Sequence, residues 1–285
     1  MASITSAAPS GVRAPTRLQA LVRRGRPLKR WRYVGVFGEQ LMACAALVHV
    51  GPAAQSFWAL ALPGERAVRE RTRLLPRRGE VQLLAGEHGD WPPTGLLVIR
   101  DRGVFLDLVL DEEAGLQALT PHGDCEVWTR KQAGVGAHGT LTVDGGEPQA
   151  IVARAVIDDT AGHHARVTEW RWSAGVGHAV DGTPLAWNLV EGVGDPPVGS
   201  ERAVWVDGVA HEVGPVAFAE DLSLVRAEDG SQLRFRARAQ RQRRDNLLLV
   251  SSEYRAPFGE FSGTLPGGLE LAHGLGVMEH HRARW

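Results

Sequence analysis

Residues 158 to 177, DDTAGHHARVTEWRWSAGVG, gather two aspartates, two adjacent histidines, two arginines, a glutamate and two tryptophans into one stretch. A carboxyl group among indoles can move protons in an apolar setting, and paired histidines can hold a metal. Which chemistry applies depends on the element beneath them. In a strand, successive side chains face opposite sides, so Arg166, Thr168, Trp170 and Trp172 share one face while Val167, Glu169 and Arg171 share the other. His163 and His164 then diverge and cannot chelate one ion together. A zinc site would have to recruit the second pair, His280 and His281, beside Glu279. Neither pair has the spacing of a metal motif and no cysteine assists, so we expect no metal and no other cofactor.

Two tryptophans sharing a face with an arginine describe a lined cavity, because an unpaired guanidinium in an apolar core is costly. The arginine calls for a carboxylate partner, and a junction between domains is a common place for a ligand site. The candidate ligand-binding residues are therefore Asp158, Arg166, Trp170, Trp172, Asn188 and Trp205, with Trp187 as a further possible wall. Several acids lie within apolar runs: Glu169, Glu191, Glu201, Glu253 and Glu279. Desolvation raises the pKa of such a carboxyl and suits it to general-acid work; an arginine-paired structural acid is the competing reading for each. Glu279 and Glu191 follow apolar residues late in their runs and are the catalytic candidates chosen on burial. There is no glycine-rich phosphate loop, no Gly-x-Ser-x-Gly elbow and no helical His-Glu-x-x-His.

The elements that must position these groups read as strands. Runs such as RWRYVGVF, QLMACAALVHV, QSFWALALP, ARVTEWRWS and PLAWNLVEG end at Gly, Pro or Asp-Gly turns, and Asp144-Gly145, Asp207-Gly208 and Asp229-Gly230 mark hairpins. Helical periodicity is nearly absent. About sixteen to twenty short strands exceed one small barrel, so we expect an all-β protein of two antiparallel β-barrels in tandem. The expected divisions are a mobile arm over residues 1–28, a first barrel over 29–162 and a second over 163–285, with the Gly192 to Gly199 loop as the alternative boundary. QLRFRARAQ alternates apolar residues against Arg234, Arg236 and Arg238, a half-buried strand with a solvated basic face.

With 285 residues, 44% of them hydrophobic, the chain can bury a sizeable core. Its net charge of −1 gives no global attraction to nucleic acid or to an anionic membrane. The longest apolar run, Leu41 to Val50, is far short of the roughly 20 residues of a membrane helix, and the N-terminal stretch lacks a signal peptide's apolar core. A cytoplasmic protein with an apolar small-molecule partner is expected. Cys44 and Cys125 read as small apolar fillers. Lys29 and Lys131 are the only lysines; the arginine bias carries no functional expectation.

Four segments together, GRPLKRWRYVGVFG, DDTAGHHARVTEWRWSAGVG, WNLVEGVGDPP with SERAVWVDG, and SEYRAPFGEFSGTL with GVMEHHRARW, resemble a bacterial family catalogued as a domain of unknown function. That family is in turn distantly similar to carotenoid hydratases and AttH-like proteins. The resemblance implies a pair of lipocalin-like, calycin-type barrels. In the hydratases an acid, a glycine and Trp-x-Trp mark the junction between barrels, matching Asp158, Gly162, Trp170 and Trp172 here. A later aromatic-x-Asp element supplies their proton donor and corresponds to Trp205 and Asp207, although Trp replaces Tyr and Asp207-Gly208 also reads as a turn. The expected function is binding of an isoprenoid, polyketide or fatty-acyl type ligand, with hydratase- or cyclase-like proton transfer by Glu279, Glu191 or Asp207. The competing classes are a non-catalytic carrier and, last, a metal-dependent hydrolase.

Overall fold

A computed structural model describes residues 21–65, 67–85, 94–247 and 250–284. The strands, in chain order, begin with the short pair β1 (Val22–Arg23) and β2 (Arg26–Pro27), then β3 (Lys29–Gly38), β4 (Leu41–Val50), β5 (Ala53–Ala61), β6 (Arg69–Arg73) and β7 (Val81–Leu84). They continue as β8 (Thr94–Asp101), β9 (Val104–Asp111), β10 (Leu116–His122), β11 (Cys125–Val143) and β12 (Gln149–Gly162). The second half holds β13 (Val167–Ala179), β14 (Pro184–Glu191), β15 (Ala203–Val206), β16 (Val209–Glu212), β17 (Val216–Phe218), β18 (Leu224–Ala227), β19 (Gln232–Leu247), β20 (Val250–Leu265) and β21 (Leu269–Arg284). Among the described residues there is no helix, so none that could cross a membrane.

Each half is one curled antiparallel sheet. The first runs β6-β5-β4-β3-β12-β11-β9-β8-β7, with β10 also paired to β11, and the second runs β16-β15-β14-β13-β21-β20-β19-β18-β17. The curl brings β7 back against β4 and β5, and β17 against β14. Among the described residues no ladder joins β6 to β7 or β16 to β17, so neither sheet is hydrogen-bonded into a closed barrel. The Asp-Gly turns behave as expected: Asp144 and Gly145 have φ of 52° and 73°, and Asp207 and Gly208 have 48° and 78°, the left-handed pair that matches the twist of a two-strand ribbon.

Of the arm, residues 1–20 lie outside the described residues. Residues 22–27 form the β1–β2 hairpin, tied down where Arg24 and Arg26 reach Asp124 at 2.7 and 2.6 Å.

Three apolar clusters result. Val34, Val36, Trp58, Leu97, Ile99 and Leu106 fill the first sheet's concavity, and Leu185, Trp187, Leu189, Phe261 and Met278 fill the second. A third cluster lies between the sheets and draws Tyr33, Phe37, Val156, Trp172, Trp205 and Phe258 from both. The strands at this junction are buried on both faces, which is why β3 and β4 read as continuous apolar runs and not as strict alternation. Cys44 and Cys125 are buried thiols. A Cβ on Gly175 would come within 2.4 Å of the Trp187 ring, so glycine there is what lets that indole lie flat across β13.

Candidate functional site

Between the sheets lies a cavity of about 210 Å³. Its walls include Val48, Phe57, Leu74, Trp172, Val190 and Val193. Into this apolar space project ionisable groups from both sheets, and they fall into two carboxylate centres.

The first centre is Glu279, on β21 and only 7% exposed. Trp170 Nε1 donates to its Oε1 at 2.8 Å and the Tyr254 hydroxyl to its Oε2 at 2.8 Å. Burial, with a smaller contribution from the Asp158 charge, pushes its pKa up to about 7 against those two hydrogen bonds and the charge of Arg241. Behind Tyr254 sits Arg241, whose guanidinium lies 4.2 Å from the Phe57 ring centroid and 4.7 Å from that of Tyr254. It is held from outside by Glu70 at 3.0 Å and by Thr72, whose hydroxyl accepts from Nη2 at 2.9 Å.

The second centre is built on Lys131. Its ammonium stands 2.8 Å from Asp158 Oδ1 and 3.4 Å from Glu201 Oε1. Burial works against the lysine's charge, but the two carboxylates outweigh it and raise its pKa. Asp158 also accepts from Thr160 Oγ1 at 2.9 Å and, through Oδ2, from Trp31 Nε1 at 2.9 Å. One ammonium cannot neutralise two carboxylates, and burial pushes Glu201 up to about 7.

Along the same wall are Lys29, His164 and His281. Desolvation lowers the Lys29 pKa to about 7 and the His281 pKa to about 3, and holds His164 well below the usual imidazole range. His164 packs 5.2 Å from the Trp31 ring and 5.4 Å from that of His122. These imidazoles are neutral and add no charge to the cavity.

A family profile described as Domain of unknown function (DUF2804) matches residues 95–285, well over half of the chain. The chain belongs to the DUF2804 family. No curated protein matches the sequence. The crystal structure of a protein assigned as AttH from Nitrosomonas europaea superposes with a TM-score of 0.55 at 12% identity, covering 97% of this chain and 98% of that one. Kievitone hydratase from Nectria haematococca superposes with a TM-score of 0.52 at 11% identity, covering 88% of each chain. Likeness at that distance establishes the shared fold; the chemistry of this DUF2804 protein has to come from its own residues.

Of the residues expected from sequence, Asp158, Trp170, Trp172 and Glu279 meet in the cavity. Asn188 and Trp205 support it from behind: Asn188 accepts from Trp172 Nε1 at 2.8 Å and donates to the Glu201 carbonyl at 2.8 Å, and Trp205 belongs to the junction cluster. Glu191 is elsewhere, accepting from the Phe218 amide at 3.2 Å and facing Arg171 at 3.8 Å. Asp207 occupies its turn at the β15–β16 hairpin, away from the cavity walls. Arg166 is exposed, because it precedes the first residue of β13 and escapes the strand's alternation. Trp187 fills the second sheet's own core.

The histidine pairs diverge on β21 as strand geometry requires: His281 faces the cavity and His280 pairs outside with Glu169 at 2.9 Å. His163 and His164 follow the end of β12 and are both buried. A Cβ on Gly162 would come within 2.8 Å of the Val127 Cα, so only glycine lets β12 press against β11 just before them.

The groups that sequence reading passed over are Trp31, Lys29, Lys131, Thr160, Arg241 and Tyr254. One signal was available. The only two lysines among 32 basic residues both line the cavity, each 3% exposed. A lysine is a compact point charge whose pKa responds to burial, a property that guanidinium groups lack.

Glu279 makes stability pH-dependent in a defined direction. Its folded-state pKa of about 7 exceeds the ordinary 4.5, so the fold binds the proton more tightly than the unfolded chain. The stability this contributes is complete below about pH 4.5 and is lost as the pH rises through 7. The stability difference, wild type minus Glu279→Gln, is expected to fall by roughly 3 kcal/mol over that window, read by urea unfolding at each pH. A difference that stays flat with pH means that Glu279 is ionised throughout.

Proposed function

We propose that this protein binds an apolar, alkene-bearing small molecule between its two sheets and transfers a proton to it from Glu279. The observation that carries the reading is a carboxyl hydrogen-bonded in an apolar, tryptophan-lined cavity by two neutral donors, with Arg241 set behind Tyr254, and with its pKa near 7. An acid so poised is protonated enough at neutral pH to donate, and acidic enough to do so readily. The walls offer aromatic and aliphatic surface to the rest of the ligand. Hydration is the reaction class favoured, supported by the fold shared with kievitone hydratase and by the presence of acidic and basic groups in one cavity. The ligand class is isoprenoid, polyketide or fatty-acyl.

Trp31, Trp170 and Trp172 all line the cavity, so an isoprenoid alcohol such as farnesol is expected to quench tryptophan fluorescence saturably. Trp172→Ala should weaken that binding by about 1–3 kcal/mol, the scale of one large buried side chain. Native mass spectrometry of protein from its own host, showing a co-purifying apolar compound, checks the same point. Saturation that is unchanged in Trp172→Ala moves the ligand out of this cavity.

A further inference from the structure

The strand orders of the two sheets align one to one around their centres: β3 of the first stands where β13 stands in the second, and β12 where β21 stands. The alignment extends to single rungs. On β3 and β12, Trp31 pairs with Thr160 and Tyr33 with Asp158. On β13 and β21, Trp170 pairs with His281 and Trp172 with Glu279. All eight residues line the cavity.

The hydrogen bonds repeat as well. In each sheet the tryptophan's indole N–H reaches diagonally past its own rung to the acid of the next, Trp31 to Asp158 at 2.9 Å and Trp170 to Glu279 at 2.8 Å. Equivalent residues then meet across the junction: Trp31 stacks on Trp170 with 6.4 Å between centroids and 11° between planes, and Tyr33 meets Trp172 edge-on at 5.3 Å. The cavity therefore presents one carboxyl from each sheet in the same local frame, on either side of paired aromatic rings.

What differs is the neighbour. Asp158 has the Lys131 ammonium at 2.8 Å, whereas Glu279 has the neutral Tyr254 hydroxyl at the same distance. Asp158 stands in an ion pair, whereas Glu279 is held by two neutral donors in an apolar wall, where burial raises its pKa. Two equivalent acids are thereby driven to opposite roles. We infer that Asp158 is the base that completes the reaction begun by Glu279, so that water is added across the ligand's double bond by one carboxyl from each sheet.

The inference rests on the proton-donor reading of Glu279. The Glu279 O–H bond breaks and its proton bonds to one alkene carbon through the π electron pair. The electron-deficient neighbouring carbon takes the oxygen of a water molecule, and that water's proton passes to Asp158. Oδ1 of Asp158 accepts from Lys131 and Thr160 and Oδ2 accepts from Trp31, and a carboxylate oxygen carries a second lone pair that can take the proton. Glu279 ends as carboxylate and Asp158 as carboxylic acid; one proton exchanged through water resets both. Lys131 and Trp31 are positioning residues that hold Asp158 by its two oxygens.

The test incubates the full chain with geraniol, farnesol and geranylgeraniol in water enriched in deuterium and ¹⁸O, and follows both labels by mass spectrometry. Wild type is expected to place one carbon-bound deuterium and one ¹⁸O in the product. Asp158→Asn should lower ¹⁸O incorporation about 100-fold or more, with the thermal unfolding transition retained because Asn can still accept from Trp31, can donate to the Thr160 hydroxyl, and leaves Lys131 paired with Glu201. If that variant does not fold, Asp158→Asn with Lys131→Met removes acid and cation together and must show the same loss. Addition of ¹⁸O by Asp158→Asn at the wild-type rate, with Glu279→Gln inactive, overturns the role of Asp158 and leaves Glu279 as the donor. Addition by Glu279→Gln as well, or none by wild type with any of the three alcohols, overturns both.

Discussion

Replacing Glu279 with Gln is expected to reduce proton transfer to a bound alkene about 100-fold or more while leaving ligand binding intact. Gln has the shape of the acid, can still accept from Trp170 and can donate to Tyr254 in place of accepting from it, so the local packing around both rings is kept. It has no acidic proton to give. A positioned general acid contributes about 10²–10⁴-fold, which sets the scale of the loss. The measurement is the rate of deuterium entry into carbon of an isoprenoid alcohol, alongside fluorescence quenching by the same compound. Unchanged deuterium entry would show that the proton comes from another group. Lost quenching would show instead that Glu279 holds the ligand.

Lys131→Ala is expected to destabilise the fold by roughly 3–5 kcal/mol, the cost of leaving buried charge without its partner. Asp158 and Glu201 share this one ammonium, and the lysine side chain is 3% exposed. Without it the two carboxyls face each other in an apolar cavity, and the fold is forced to protonate at least one of them. The deficit in urea unfolding free energy should therefore be largest near pH 8 and shrink as the pH is lowered and the carboxyls take up protons. Combining Lys131→Met with Asp158→Asn and Glu201→Gln should recover most of the loss, because no charge is then left buried. A loss below about 1 kcal/mol for Lys131→Ala at neutral pH would mean that water reaches the pair and screens it.

The arginine-bearing strand β19 shows how a regular pattern conceals an exception. Arg234 is exposed, and Arg236 and Arg238 pair outside with Glu260, the solvated face that alternation implies. Beyond Ala237 the ladder to β20 shifts register at a bulge. Past it Arg241 turns inward to the cavity at 2% exposure. A bulge inserts one unpaired residue and exchanges the faces of everything after it. Arg241, which strict alternation would set with Leu233 and Phe235 in the second sheet's own core, therefore lies with Ala239 on the face that meets the first sheet. QLRFRARAQRQRR contains no glycine or proline to mark the bulge.

Strand content, the Asp-Gly turns, the two-sheet architecture and the inward set Asp158, Trp170, Trp172 and Glu279 were legible in the sequence. Those properties are local: turn residues act through their own dihedrals, and alternation assigns faces without knowledge of the partner strand. Which acid would be buried was a different question. Glu191 and Glu279 both close apolar runs, yet one caps the Phe218 amide and the other sits among Trp170, Tyr254 and the cavity. Asp158 and Asp159 are adjacent, but the first meets Lys131 inside while the second meets Arg32 and Arg130 at the opposite face. A carboxyl's environment is made by strands far away in the chain: Trp170 and Glu279 are 109 residues apart, Trp31 and Asp158 127. The sequence by itself determined the strands, their turns and the alternation of faces along an unbroken strand. Only the tertiary structure decided which acid received a cation and which received neutral donors, because that depends on the pairing of one strand with another across the whole chain.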